Sequence, residues 1–175
     1  MSFATIQDLQ RAEKDLPKLL LNSEIWNTLD VDYFPPRVER LWCQYELNHR
    51  LFIHVIHPTD SECLFHKHRW PASFKMLSGS YEMGVSYSTE EVSSQDAYKL
   101  PEIAKFIIAA GSYYEMTNTN TLHYVKPVDG ISISLMITGP LYPEAEIRKE
   151  VLDRELQPLT EYRKTTILNY VERLI

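Results

Sequence analysis

Residues 64–79 read Leu-Phe-His-Lys-His-Arg-Trp-Pro-Ala-Ser-Phe-Lys-Met-Leu-Ser-Gly. If 64–70 is a strand, its side chains alternate between two faces. His66 and His68 then share a face with Leu64, Trp70 and Ala72, while Lys67 and Arg69 point the other way. Two imidazoles on an apolar face are poorly explained as solvated surface. Protonated, they would repel each other, and burial disfavours the charged form. A metal ion resolves both problems, because neutral imidazole is a favoured ligand for Zn, Fe, Ni and Cu. With six histidines in 175 residues, chance supplies roughly 0.2 His-x-His pairs. The pair alone is therefore weak, and the surrounding pattern decides.

That pattern is β. Within 37–57, Leu51, Ile53 and Val55 alternate with Phe52, His54 and Ile56, so this strand has two useful faces. Further strands are expected at 64–70, 74–77, 81–87, 106–109, 113–116, 122–125 and 131–138. Turn chemistry separates them at Ser78-Gly79, Gly111-Ser112, Asn118 to Asn120 and Asp129-Gly130. Asp129-Gly130 between two strands reads as a hairpin. Many short strands with regular turns predict a sandwich or barrel over 37–142. The ends read as helix. Over 1–30, apolar residues recur at spacings near three and four, and Pro17 predicts two short helices, the second capped by Ser23. Over 143–175, Leu159, Tyr162, Ile167, Tyr170, Val171 and Leu174 form an apolar stripe, with Thr160 and Arg163 not making a capping box. The whole chain, 1–175, is expected to be a single domain.

Composition narrows the function. Apolar residues make up 44% and charged residues 24%, ordinary values for a globular domain. The net charge of −6 argues against a duplex-DNA binder, which needs a basic surface. No stretch has the roughly 20 apolar residues of a membrane span, and no signal-peptide pattern opens the chain. Cys43 and Cys63 are too few for a disulfide framework. The expectation is a cytoplasmic protein without a nucleic-acid or membrane partner.

The spacing His66-x-His68, Ala72, Gly79 resembles the first motif of the cupin superfamily, in which His-x-His is followed by Glu and then Gly. Ala72 falls on the Glu position and Gly79 on the Gly. The second motif supplies a third His from a Pro-x-Gly-x-x-His turn, and the matching positions here are Asn118, Asn120 and His123. Asn tolerates positive φ better than other non-glycine residues, so Asn120 is expected to fill that turn. The resemblance covers about residues 40–140. It implies a mainly β fold, a jelly-roll β-barrel with flanking helices, in which His66, His68 and His123 converge on one divalent metal. Without the carboxylate, the set resembles the three-His cupin dioxygenases, of the thiol and diketone-cleaving types. That implies Fe(II) first, with Zn, Ni or Mn as alternatives, and a small substrate favoured when anionic. The Cys that thiol dioxygenases often place at Ala72 is absent. Dimerisation, common among cupins, implies a homodimer.

Around the metal, Trp70, Phe74, Met76 and Val125 are in phase with the ligands and are the expected substrate-binding wall. His54, Tyr81 and Glu115 are the candidates for catalytic or reserve-ligand roles. His57 has the opposite parity to His54, and His49 is expected to be exposed. In 131–138 one face is Ile131, Ile133, Leu135 and Ile137, the other Ser132, Ser134, Met136 and Thr138, and either can line the cavity. Three functions remain open: an iron oxygenase, a Zn, Ni or Mn isomerase, lyase or hydrolase, and a non-enzymatic ligand-binding cupin.

Overall fold

A computed structural model describes residues 4–90, 92, 96–142 and 156–175. The chain opens with α1 (Ile6–Leu20) and a 3-10 turn (Ser23–Ile25), and closes with α2 (Glu161–Glu172). Between them run β1 (Asn27–Val31), β2 (Val38–Tyr45), β3 (His49–Ile56), β4 (His66–Lys67), β5 (Ala72–Ser78), β6 (Ser80–Tyr87), β7 (Ala104–Ala109), β8 (Tyr113–Met116), β9 (Thr121–Pro127) and β10 (Ser132–Thr138). They form two antiparallel sheets, β1-β2-β3-β10-β5-β8 and β4-β9-β6-β7. Among the described residues no ladder joins the sheets, so the architecture is a jelly-roll sandwich rather than a fully closed barrel.

The six-stranded sheet is covered on both faces. Outside, α1 and α2 pack on it through Leu9, Ala12, Leu16, Ile167, Leu168 and Val171, which meet Leu41, Ile53, Leu135 and Ile137. Inside, Phe52, Phe74, Met116 and Met136 make one cluster, and Ile56, Met76, Tyr81 and Met83 another. The two faces of 131–138 are thereby assigned. Ile133, Leu135 and Ile137 face the helices, and Ser134 and Met136 line the interior cavity.

Several expectations are corrected. Pro17 does not split the first helix. Its side is exposed, so the Glu13 carbonyl that loses its partner faces water, and burial of Leu9, Ala12, Leu16 and Leu20 outweighs the local cost of about 3 kcal/mol. Thr5 and Asp8 cap this helix reciprocally. The second helix is only the 3-10 turn, capped by Asn22 rather than Ser23, and β1 starts before residue 31. Thr160 and Arg163 make no capping box, as expected, yet Thr160 caps α2, its Oγ1 accepting from the Arg163 N–H. The helical reading of 143–155 lies outside the described residues. Asp129-Gly130 is a turn but not a hairpin, because β9 and β10 belong to different sheets. The same is true of the turns at Gly79 and Gly111. Gly79 has φ +75°, and an added Cβ would lie 2.6 Å from the Ile131 carbonyl. Gly84 is needed for space rather than for its dihedral angles, since the Tyr124 ring lies across it and a Cβ would overlap that ring.

The outer face holds a buried ion cluster. Glu39, 2% exposed, accepts from Arg163 Nε at 2.7 Å and lies 2.8 Å from His57 Nε2. Arg37 stands 3.8 Å away. Burial pushes the Glu39 carboxyl upward, but hydrogen bonds from Arg163 and His57 outweigh it and hold the pKa below its ordinary 4.5. Arg163→Ala, which unties α2 from the sheet, should cost about 3 kcal/mol in urea unfolding near neutral pH. A carboxyl depressed in the folded state stabilises above its unfolded pKa, and that contribution is lost as pH falls through the folded pKa. The gap between wild type and variant should therefore narrow as pH falls below the ordinary carboxyl value and through the depressed folded one. Gly84→Ala should cost about 2 kcal/mol, because the Tyr124 ring must move.

Candidate metal centre

His66, His68 and His123 converge as the resemblance implies, although by a different local route. Only His66 and Lys67 are in a strand, and a bend at 69–70 carries the chain to β5 in the other sheet. His66 pairs directly with His123 across β4 and β9. On its other side His123 pairs with Val85 of β6, so a ladder flanks it on both edges. One ligand nitrogen from each of the three imidazoles lies within 4.8 Å of the others. Around tetrahedral Zn such atoms are about 3.4 Å apart, so a small inward shift suffices, and the cluster could hold a divalent metal ion. His68 Nε2 and His123 Nε2 are already 2.9 Å apart. His66 Nδ1 is 3.3 Å from the Leu64 carbonyl, a contact that orients the other ring nitrogen.

The electrostatics favour the ligand form. Desolvation lowers the pKa of all three and repulsion from neighbouring cations adds to it, with His68 brought down to about 3, while at His66 the Leu64 carbonyl contact works the other way. The neutral form, the one that ligates metal, is thereby favoured. No Asp or Glu joins the cluster among the described residues. Ala72, at the carboxylate position of the motif, is fully buried and packs with Phe52, Phe74 and Met136.

Asn120 does not take the positive φ expected of it, since Glu46 is the non-glycine residue that does. The turn is closed differently. Asn118 Oδ1 accepts from the Asn120 N–H at 2.8 Å, an Asx turn in place of the glycine turn.

The three histidines open onto a cavity of about 610 Å³. Trp70, Phe74, Val125, Tyr81 and His54 line it. His54 is buried, and its pKa lies well below the ordinary value through burial and the proximity of Arg40, His68 and His66. Tyr81 bonds to Tyr114 through their hydroxyls at 2.7 Å, and burial raises both phenol pKa values. Tyr114 stacks on Phe74, with ring centroids 4.5 Å apart.

Two candidates fall elsewhere. Met76 sits behind the wall in the apolar layer with Ile56, Tyr81 and Met83. Glu115 is on the outer face, where Oε1 accepts from the Ile6 N–H at 2.6 Å. The register explains this: Glu115 pairs with outward Ser73, whereas Tyr114 pairs with inward Phe74. His49, expected on the surface, is buried at 6% exposure. It shares its face with Leu51, beneath the helices.

Arg40 escaped the sequence reading. It lines the cavity, and its buried Nε has no hydrogen-bond partner. It pairs across strands with His54, and His54 with Ser134, which makes one polar row on the inner face. His54 Nε2 and Trp70 Nε1, also lining the cavity, are buried without partners. The available signal was phase, because Arg40 alternates in step with apolar Val38 and Trp42.

No family model and no curated protein matches the sequence. Solved structures do. The hydroxypropylphosphonic acid epoxidase of S. wedmorenis aligns with TM-score 0.50 and 10% identity, over 67% of this chain and 56% of that one. KdgF of a Halomonas species aligns at 0.46 and 13%, over 67% and 88%. Drosophila melanogaster CENP-C bound to CAL1 aligns at 0.48 and 12%, over 75% and 99%. This chain thus spans little more than half of the epoxidase. The fold is the cupin jelly roll, and at the mouth of its cavity stands a three-imidazole cluster, His66 exposed, His68 half-buried and His123 buried, able to hold a divalent metal. His123→Ala should remove stoichiometric metal, read by mass spectrometry, while far-UV circular dichroism stays that of wild type.

Proposed function

We propose that this chain is a metal-dependent cupin enzyme, a mononuclear iron dioxygenase acting on a small anionic substrate. The observation that carries the reading is the convergence of three imidazoles, with no carboxylate among the described residues, on a cavity that also holds Arg40, whose Nε lacks a partner. His66, His68 and His123 would hold the ion. Bound there, Fe(II) supplies the redox chemistry that couples an organic substrate to O₂.

The rest is the work of the chain. Arg40 stays cationic even where burial lowers its pKa. It is placed to receive a carboxylate or similar oxyanion, with the Trp70 N–H and the His54 imidazole at hand as further polar partners. A neutral ligand set leaves the ion's full positive charge to reinforce that preference. Phe74, Val125 and Met136 exclude water and lower the local dielectric. The Tyr81–Tyr114 pair uses one hydroxyl proton in its mutual bond and leaves the other to donate.

The decisive experiment is metal analysis of tag-free protein, followed by anaerobic Fe(II) reconstitution and an O₂-uptake screen of small thiol and dicarbonyl acids. One equivalent of iron with substrate-dependent uptake is expected. One equivalent of Zn, Ni or Mn with no uptake would overturn the oxygenase in favour of Lewis-acid chemistry, and no metal after reconstitution would leave a ligand-binding cupin. Arg40→Met should keep the metal and raise the KM of an acidic substrate by about a hundredfold.

A further inference from the structure

The cavity is larger than its metal-facing end requires. Its volume of about 610 Å³ has room for about twenty non-hydrogen atoms at the packing of liquid water. A three- or four-carbon acid between Arg40 and the histidines leaves most of that space unfilled.

The remaining space has a defined chemistry. Val38, Ile56, Val125 and Tyr81 line it and pack in one apolar cluster. Val38 and Ile56 are cross-strand partners, as are Arg40 and His54 in the next row. Rows on one face of a strand are about 6.8 Å apart. On the opposite sheet, Val125 follows His123 by two residues in β9 and shares its face. The apolar end therefore adjoins the polar end from both sheets. The Tyr81 and Tyr114 hydroxyls share one hydrogen bond there, which leaves a single O–H for a ligand at that end.

We propose that this end of the cavity receives the apolar group of an amphipathic acid. The substrate carries an oxyanion for Arg40 and a ring-sized or branched hydrocarbon portion seated between Val38, Ile56 and Val125. This rests on the reading above, in which an anionic substrate meets a metal at the three imidazoles, and it deepens that reading by naming the substrate class. A short polar acid would fill the metal-facing end and leave apolar walls in contact with water.

Calorimetric titration of the full-length protein with propionate and with 3-phenylpropionate tests this, on metal-free and zinc-loaded samples. The phenyl acid should bind about thirtyfold more tightly than propionate. Val38→Phe and Val125→Phe, both at half-buried positions, should each remove most of that advantage, and Val38→Phe, away from the metal-facing end, should leave propionate affinity unchanged. Thermal melts verify that the variants fold. Equal affinity for the two acids, no saturable binding of 3-phenylpropionate at millimolar concentration, or an advantage retained in both variants would overturn the inference. The two readings fail separately. Protein that takes up no zinc but keeps the phenyl advantage refutes the metal site alone. Protein that binds zinc but shows no phenyl advantage refutes the apolar compartment alone.

Discussion

Every residue of β10 is buried, and that constraint organises the molecule. A strand buried on both faces must present two different surfaces at two-residue intervals. Ile133, Leu135 and Ile137 answer to the helices, and Ser134 and Met136 answer to the cavity. The flanking strands follow the same division, because the ladder fixes their register. Leu51, Ile53 and Val55 of β3 pack outward, and Phe52, His54 and Ile56 face in. The terminal helices are thus part of what makes the interior possible. Without them the outer face of the six-stranded sheet would expose a continuous aliphatic surface.

Adjacent residues 39 and 40 show how the two faces treat charge. Glu39 points outward and is saturated by Arg163 and His57, with Arg37 nearby. A buried carboxylate so well partnered serves to fix α2 against the sheet. Arg40 points inward, where its Nε is left without an acceptor. A buried unpaired donor costs free energy, and a protein retains such a group most readily where a ligand completes it. The same holds for His54 Nε2 and Trp70 Nε1. Among the described residues the cavity thus brings unmet polar atoms of Arg40, His54 and Trp70 beside the three imidazoles.

The likeness to known structures is one of fold. At 10% identity to the epoxidase of S. wedmorenis, function has to be argued from the side chains. The strongest of these are the imidazoles at 66, 68 and 123. A crossing between sheets at 69–70 and an Asx turn at Asn118 bring them together, and both are local features of this chain.

The sequence by itself determined the strand periodicity, the turn positions, the helical ends and the three-histidine set. The first three follow from local rules: alternation along a strand, the preference of glycine for positive φ, and the regular spacing of apolar residues on a helix; His123 joined the His66–His68 pair only through the resemblance to the second cupin motif. Other features depended on which strands pair. Asp129-Gly130 has hairpin chemistry, but whether a turn joins neighbours in one sheet or crosses to another depends on partners far along the chain. Pro17 carries a local signal to break a helix, and tertiary burial overrode it. Glu115 and Tyr114 are equal candidates until pairing with Ser73 and Phe74 sends one out and the other in. Arg40 is an ordinary strand arginine in sequence. Its place in the cavity emerges only when the fold encloses it with the histidines and, among the described residues, leaves its Nε without an acceptor, because the absence of a partner is a property of three-dimensional surroundings.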